Sequence, residues 1–141
     1  MYFFKEGFCW TFLLNENSEY QKARLKQVSV NDVNAMALFP INDTNLNSKY
    51  FVCLLNSYLL FTIKRNFINS TASFQINDAR QLPIIIPNKK QLEEFETLFN
   101  SAYSIKQAEF SNQLPIEKTE IQLNKLQEKL DNLIKKLYNL I

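Results

Sequence analysis

Asn69, Ser70 and Thr71, followed closely by Gln75, Asn77 and Arg80, gather amide, hydroxyl and guanidinium groups into one short stretch. Such groups hydrogen-bond to base edges or to sugar and phosphate without relying on net charge. Gln75 or Asn77 can pair bidentately with adenine, and the Arg80 fork with guanine. The same groups can equally serve the chain itself. Amides beside a strand satisfy loose backbone groups, and Arg80 can pair with Asp78. Just upstream, Lys64, Arg65 and Asn66, together with Thr71, suit phosphate contact, although Lys64-Arg65 and the second basic cluster, Lys22, Arg24 and Lys26, read first as solvated surface. The net charge of +2 announces no strong phosphate binder.

Composition removes most catalytic chemistry. The chain has no histidine, so His-ligated zinc sites, Ser-His-Asp triads and Cys-His nucleophile pairs cannot be built from it. Its single glycine, Gly7, rules out the glycine-rich loops that cradle nucleotide phosphates. Cys9 and Cys53 match no C-x-x-C pattern and read as buried thiols in a reducing cytoplasm. Asp78 has no acidic neighbour, and Glu93, Glu94 and Glu96 fall on one solvated helix face. No catalytic residue, metal or cofactor is therefore expected. The apolar run Tyr50 to Ile63 is shorter than the roughly 20 residues that span a bilayer, and the N-terminus has no cleavage-site pattern, so neither membrane segment nor signal peptide is expected.

The elements that would hold these residues follow from patterning. With 141 residues, 46% of them hydrophobic, the chain can build one real core. Aromatic and branched residues predict a strand over Phe8–Leu14, where Trp10 suits either the core or a groove, and partial period-two alternation predicts another over Lys26–Ile41. Asn47 can cap a helix running to Thr62. Leu82-Pro83-Ile84-Ile85-Ile86-Pro87 reads as a short buried strand closed by proline at both ends. Asn88, with Gln91 three residues on, predicts a helix to about Phe110, and Pro115 suits the start of another. The expected fold class is α/β (α+β): a small mixed sheet with packed helices, then a long C-terminal coiled-coil-like helix, with a boundary between 1–111 and 112–141.

In that last helix Ile116, Leu123, Leu126, Leu130, Leu133, Leu137 and Leu140 fall on a heptad, with Thr119 the one polar member. An isolated helix is marginal in water, so the seam must pack on the preceding helix, on a second copy or on another subunit. Leu123, Leu126, Leu130, Leu133 and Leu137 are the candidate partner-interface residues.

Leu54-Leu55-Asn56-Ser57, Phe67-Ile68-Asn69 and the run Gln75 to Pro87 resemble the target recognition domains of type I restriction specificity subunits and type IIG restriction enzyme-methyltransferases. The similarity extends over about Asn45 to Phe110, and more loosely over Gly7-Phe8-Cys9-Trp10 and Ala37-Leu38-Phe39-Pro40. It implies a domain that reads double-stranded DNA beside the major groove, followed by a helix that serves as spacer or docks on a methyltransferase or restriction module. Two departures stand out: the chain has no Asn/Asp-Pro-Pro-Tyr/Phe motif to hold a target adenine, and it is shorter than such domains usually are. It should not methylate on its own and is expected to be a fragment or subunit. The competing expectation is a non-catalytic assembly module acting, by partner docking or self-association, through its C-terminal helix.

Overall fold

The computed structural model describes residues 5–15, 17–28, 35–39 and 46–141, which divide into two compact units, 1–86 and 87–141. The first unit is built on an antiparallel sheet of three strands, β1 (Gly7–Thr11), β2 (Arg24–Lys26) and β3 (Ala35–Leu38), in the order β2-β1-β3. β1 carries the densest apolar run and takes the centre, with Phe8 opposite Leu25 on one side and Leu38 on the other. Gly7 permits the close approach of β3: a Cβ there would strike the Leu38 carbonyl oxygen and lie 2.8 Å from the Phe39 ring. The single strand expected over Lys26–Ile41 is instead β2 and β3, and residues 29–34, 40 and 41 lie outside those described. The class is α/β as expected, a small sheet with packed helices and a long C-terminal helix, and every pairing in this sheet is antiparallel.

Beyond Thr11 the chain keeps pairing, with Ala72–Phe74: Leu14 N–H donates to the Ala72 carbonyl (3.1 Å) and Phe74 N–H to that of Phe12 (2.9 Å). Trp10 is wholly buried, its indole N–H bonded to the Phe74 carbonyl at 2.9 Å, which places it in the core. Phe8 stacks on Phe51 of α1 (Ser48–Leu55), with ring centroids 4.9 Å apart.

Asn47 caps α1 as expected, its Oδ1 accepting from Tyr50 N–H. The helix does not run through to Thr62. Ser57 ends it by donating to the Leu54 carbonyl and then caps α2 (Tyr58–Ile63), while the Asn56 amide turns away to bond both N–H and C=O of Ala23. A hydroxyl and an amide with better partners elsewhere break an apolar run that periodicity reads as continuous. α2 leads into a π-helical turn, Lys64–Ile68, closed by Asn69 N–H on the Lys64 carbonyl at 2.8 Å. A short helix α3 (Ile76–Ala79) follows.

Pro83–Ile86 is not a strand: it has no regular structure and pairs with no strand among the described residues. Its two flanking prolines supply no amide donor, and Ile84 and Ile86 are exposed while Leu82 and Pro87 are buried. The phenol of Tyr50 satisfies the Ile85 carbonyl instead, at 2.6 Å.

The second unit is a helical hairpin of α4 (Lys89–Phe110) and α5 (Ile116–Leu137), packed on each other. Asn88 and Gln91 cap α4 reciprocally, side chain to backbone at 2.9 Å each way. The boundary expected at 111/112 is thus the turn of this hairpin, where Asn112 adopts a left-handed φ of 56°. Along α5, Thr119, Leu130, Ile134 and Leu137 are buried, Leu123, Leu126 and Leu133 half-buried, and Ile116 and Leu140 exposed. Ile134, one position beyond the expected heptad, takes the innermost place. A straight helix turns every 3.6 residues and drifts off a strict seven-residue register, so the buried line shifts toward 134.

Candidate nucleic-acid interface

The π-helical turn and the loop that follows it bring the sequence-predicted residues into two neighbouring groups. The first surrounds a pocket of about 310 Å³, whose lining includes Lys64, Arg65, Ser70 and Thr71 together with Asn15 and Ser18 from the segment after β1. The second lies on and beside α3: Gln75, Asn77 and Arg80. Asn69 ties the two, its amide donating to Asp78 Oδ2 at 3.0 Å and its Oδ1 accepting from the Thr71 backbone N–H and hydroxyl.

These hydrogen bonds separate what the loop uses on itself from what it presents. Asn69 and Thr71 brace the loop, with the Thr71 hydroxyl also 2.8 Å from that of Ser73. Asp78 Oδ2 accepts the Gln75 N–H at the start of α3. Arg80 bonds the Asn77 Oδ1 at 3.2 Å, so its expected partner, Asp78, is engaged by Asn69 and Gln75 instead. Arg65, Asn66, Ser70, Gln75 and Arg80 are exposed. The side chains of Arg65 and Asn66 make no hydrogen bond among the described residues and face solvent.

Lys64 differs from its neighbour. Its side chain is only 3% exposed, and its ammonium donates to the Thr71 carbonyl at 2.6 Å. Burial holds its pKa below the ordinary lysine value; Asp78 opposes that shift and Arg65 adds to it. Lys26, expected at the surface, is also buried, but two carbonyls, Lys5 and Gln27, and the face of Phe39 compensate it. Lys22 and Arg24 are exposed as expected. Ser18 and Asn15 had no signal in the sequence, because only the fold brings them to the loop some fifty residues away.

The two cysteines are buried free thiols, and burial pushes the Cys53 pKa up to about 12. Among the described residues no three metal-ligating side chains come together, and no helix is long and apolar enough to cross a membrane.

On the second unit, α4 and α5 leave between them an open groove of about 650 Å³. Leu98, Leu126 and Leu133 form its apolar part, and Glu93, Lys129 and Lys136 are among the charged residues lining it.

The chain shares its fold with part of a type IIL restriction-modification enzyme, MmeI, whose structure was solved in complex with DNA. The TM-score is 0.67 at 18% sequence identity, and the likeness covers 96% of this chain. The chain spans 18% of the length of that enzyme. No family model matches the chain, and no curated protein does.

Proposed function

We propose that the chain is the target-recognition part of a restriction-modification system, a cytoplasmic double-stranded-DNA-binding module of the type I or type IIG kind. It has no catalytic role of its own and directs a methyltransferase or nuclease module carried elsewhere. The observation that carries this reading is the fold likeness over 96% of the chain to a stretch of an enzyme solved on DNA. The side chains support it: Arg65, Asn66 and Ser70 face solvent beside α3, which carries Gln75, Asn77 and Arg80 at and near its ends. In this reading Arg65, Asn66, Ser70 and Thr71 meet sugar and phosphate, while Gln75, Asn77 and Arg80 reach base edges.

Selection from a randomised duplex pool at low salt tests the proposal. A consensus should emerge, and Gln75→Ala or Arg80→Ala should relax it at one position each, by roughly 1–3 kcal/mol per lost base contact. Arg65→Ala should weaken all duplexes alike and lower the salt slope by about one. Equal binding of every duplex, or none at low salt, would defeat the recognition reading.

The groove of the second unit favours a second reading, an assembly module. Its half-buried Leu126 and Leu133 and its charged lining offer a surface that another helix could cover. A chain that sediments as an oligomer and ignores DNA would move the assignment there.

A further inference from the structure

The pocket beside the π-helical turn is lined by two cationic residues, Lys64 and Arg65, and by hydroxyl and amide side chains. The Ser18 hydroxyl is buried in its wall without a partner, in a residue only 9% exposed. The Lys64 ammonium reaches the same pocket and spends one proton on the Thr71 carbonyl; its other two have no acceptor among the described residues. Arg65, exposed and unpaired among the described residues, and Ser70 also line it. No carboxylate among the described residues does.

Asp78 acts on Lys64 only through its field, its Oδ2 being engaged by Asn69 and Gln75, and a buried cation with no carboxylate in hydrogen-bond contact is costly unless an anion supplies the missing contacts. Lys26, the last residue of β2, illustrates the alternative, with two carbonyls and a ring face among its partners. What would complete Lys64 and Ser18 together is a small group offering several acceptor oxygens and negative charge. Water brings no charge and accepts at most two hydrogen bonds.

We propose that this pocket is a phosphate site in which Lys64, Ser18 and Arg65 hold the oxygens of one phosphoryl group. Resting on the DNA-recognition reading, its occupant is a single phosphodiester of the duplex backbone; a free phosphate or a phosphate monoester offers the same chemistry. Bound there, the anion would return the Lys64 pKa toward its ordinary value, because it offsets the desolvation that lowers it.

The test uses the full chain and inorganic phosphate, titrated at constant ionic strength against chloride and followed by amide NMR. Saturable shifts confined to Ser18, Lys64, Arg65, Ser70 and Thr71 are expected. Ser18→Ala and Arg65→Ala should each weaken the binding roughly tenfold, the usual scale for a hydrogen bond to a charged group. Neither variant removes a partner from the core, so both should stay folded. Diffuse or non-saturating shifts, or variants that bind like the parent, would overturn the site. A second arm scans neutral methylphosphonates along a bound duplex. One position costing far more than its neighbours, with the difference lost in Ser18→Ala, identifies the phosphodiester. Localised phosphate binding with a flat scan would keep the site and overturn its duplex occupant. Duplex binding without phosphate binding would overturn the site while leaving the recognition reading standing.

Discussion

The two units are held together by opposite means. In the first, residues far apart in sequence meet: Trp10 with Phe74, Asn56 with Ala23, Tyr50 with Ile85. In the second, two helices of 22 residues each are started by local signals, Asn88 and Pro115, and joined by a short turn. The first unit can therefore enclose polar chemistry from several segments, which is where its pocket comes from. The second offers a long surface with an open groove between its two helices.

Mutations at the two cores test that contrast most strongly. Phe74→Ala should cost the first unit about 3–5 kcal/mol, since it empties a wholly buried ring beside Trp10. Trp10 is the sole tryptophan, so its emission reports on this unit alone. The matching change in the hairpin, Ile134→Asp, buries a charge at a fully enclosed position, and it should strip far-UV helicity while the Trp10 emission holds. Joint loss of both signals in either variant would mean that the two cores melt as one and that the contrast is only descriptive.

Gly7→Ala should be next in size. The added methyl meets the Leu38 backbone, which cannot swing away as a side chain would, and a loss of about 1–3 kcal/mol in denaturant unfolding is expected. A neutral result would mean that β3 shifts freely.

Titration separates two buried groups of the first unit. Cys53 has a folded pKa raised from 9.0 to about 12, so the stability from keeping its thiol neutral is complete below pH 9 and is lost as pH climbs from 9 toward 12. Lys64 has the reverse sign. Its folded pKa is lowered from 10.5, so stability rises with pH from that lowered value up to 10.5. Cys53→Ala should flatten the alkaline decline, and Lys64→Met the opposing rise that ends at pH 10.5, in urea midpoints measured against pH. Unaltered profiles would contradict the burial of both groups.

The smallest effect is expected in the hairpin. Thr119 is buried with its hydroxyl bonded to the Pro115 carbonyl one turn back, a bond that adds little to a helix already capped by its own backbone. Thr119→Val should shift stability by less than about 1 kcal/mol. A larger loss would make that bond a true anchor of the turn.

What could be read from the sequence follows the same division. Asn88 with Gln91, and Pro115 before Ile116, carry their structural meaning within a few residues, so both helices of the hairpin were legible almost to their ends. In the first unit Asn47 was legible for the same reason. The break at Ser57 was not, because Asn56 leaves the helix for Ala23, thirty-three residues earlier. Pro83–Ile86 misleads because an apolar run carries no record of whether a partner strand exists. Lys26 looks like a surface residue until Phe39 covers it. The polar loop itself stands out by composition, whereas its bonding does not: that Asn69 braces while Arg65 is presented depends on where Asp78 and Thr71 fall.

The Trp10–Phe74 bond also sets an order of events during synthesis. It closes 64 residues of chain, so β1 cannot bury its indole until Phe74 has left the ribosome. β2 and β3 can close both edges of β1 once Leu38 has been made, but its extension Phe12–Leu14 stays unpaired until Ala72–Phe74 arrives. The hairpin, made afterwards, needs only its own neighbours and should zip up much faster. In refolding from denaturant, Trp10 fluorescence is therefore expected to recover more slowly than helicity, and a chaperone that shields unpaired strands should raise the yield of the first unit while changing that of the hairpin little.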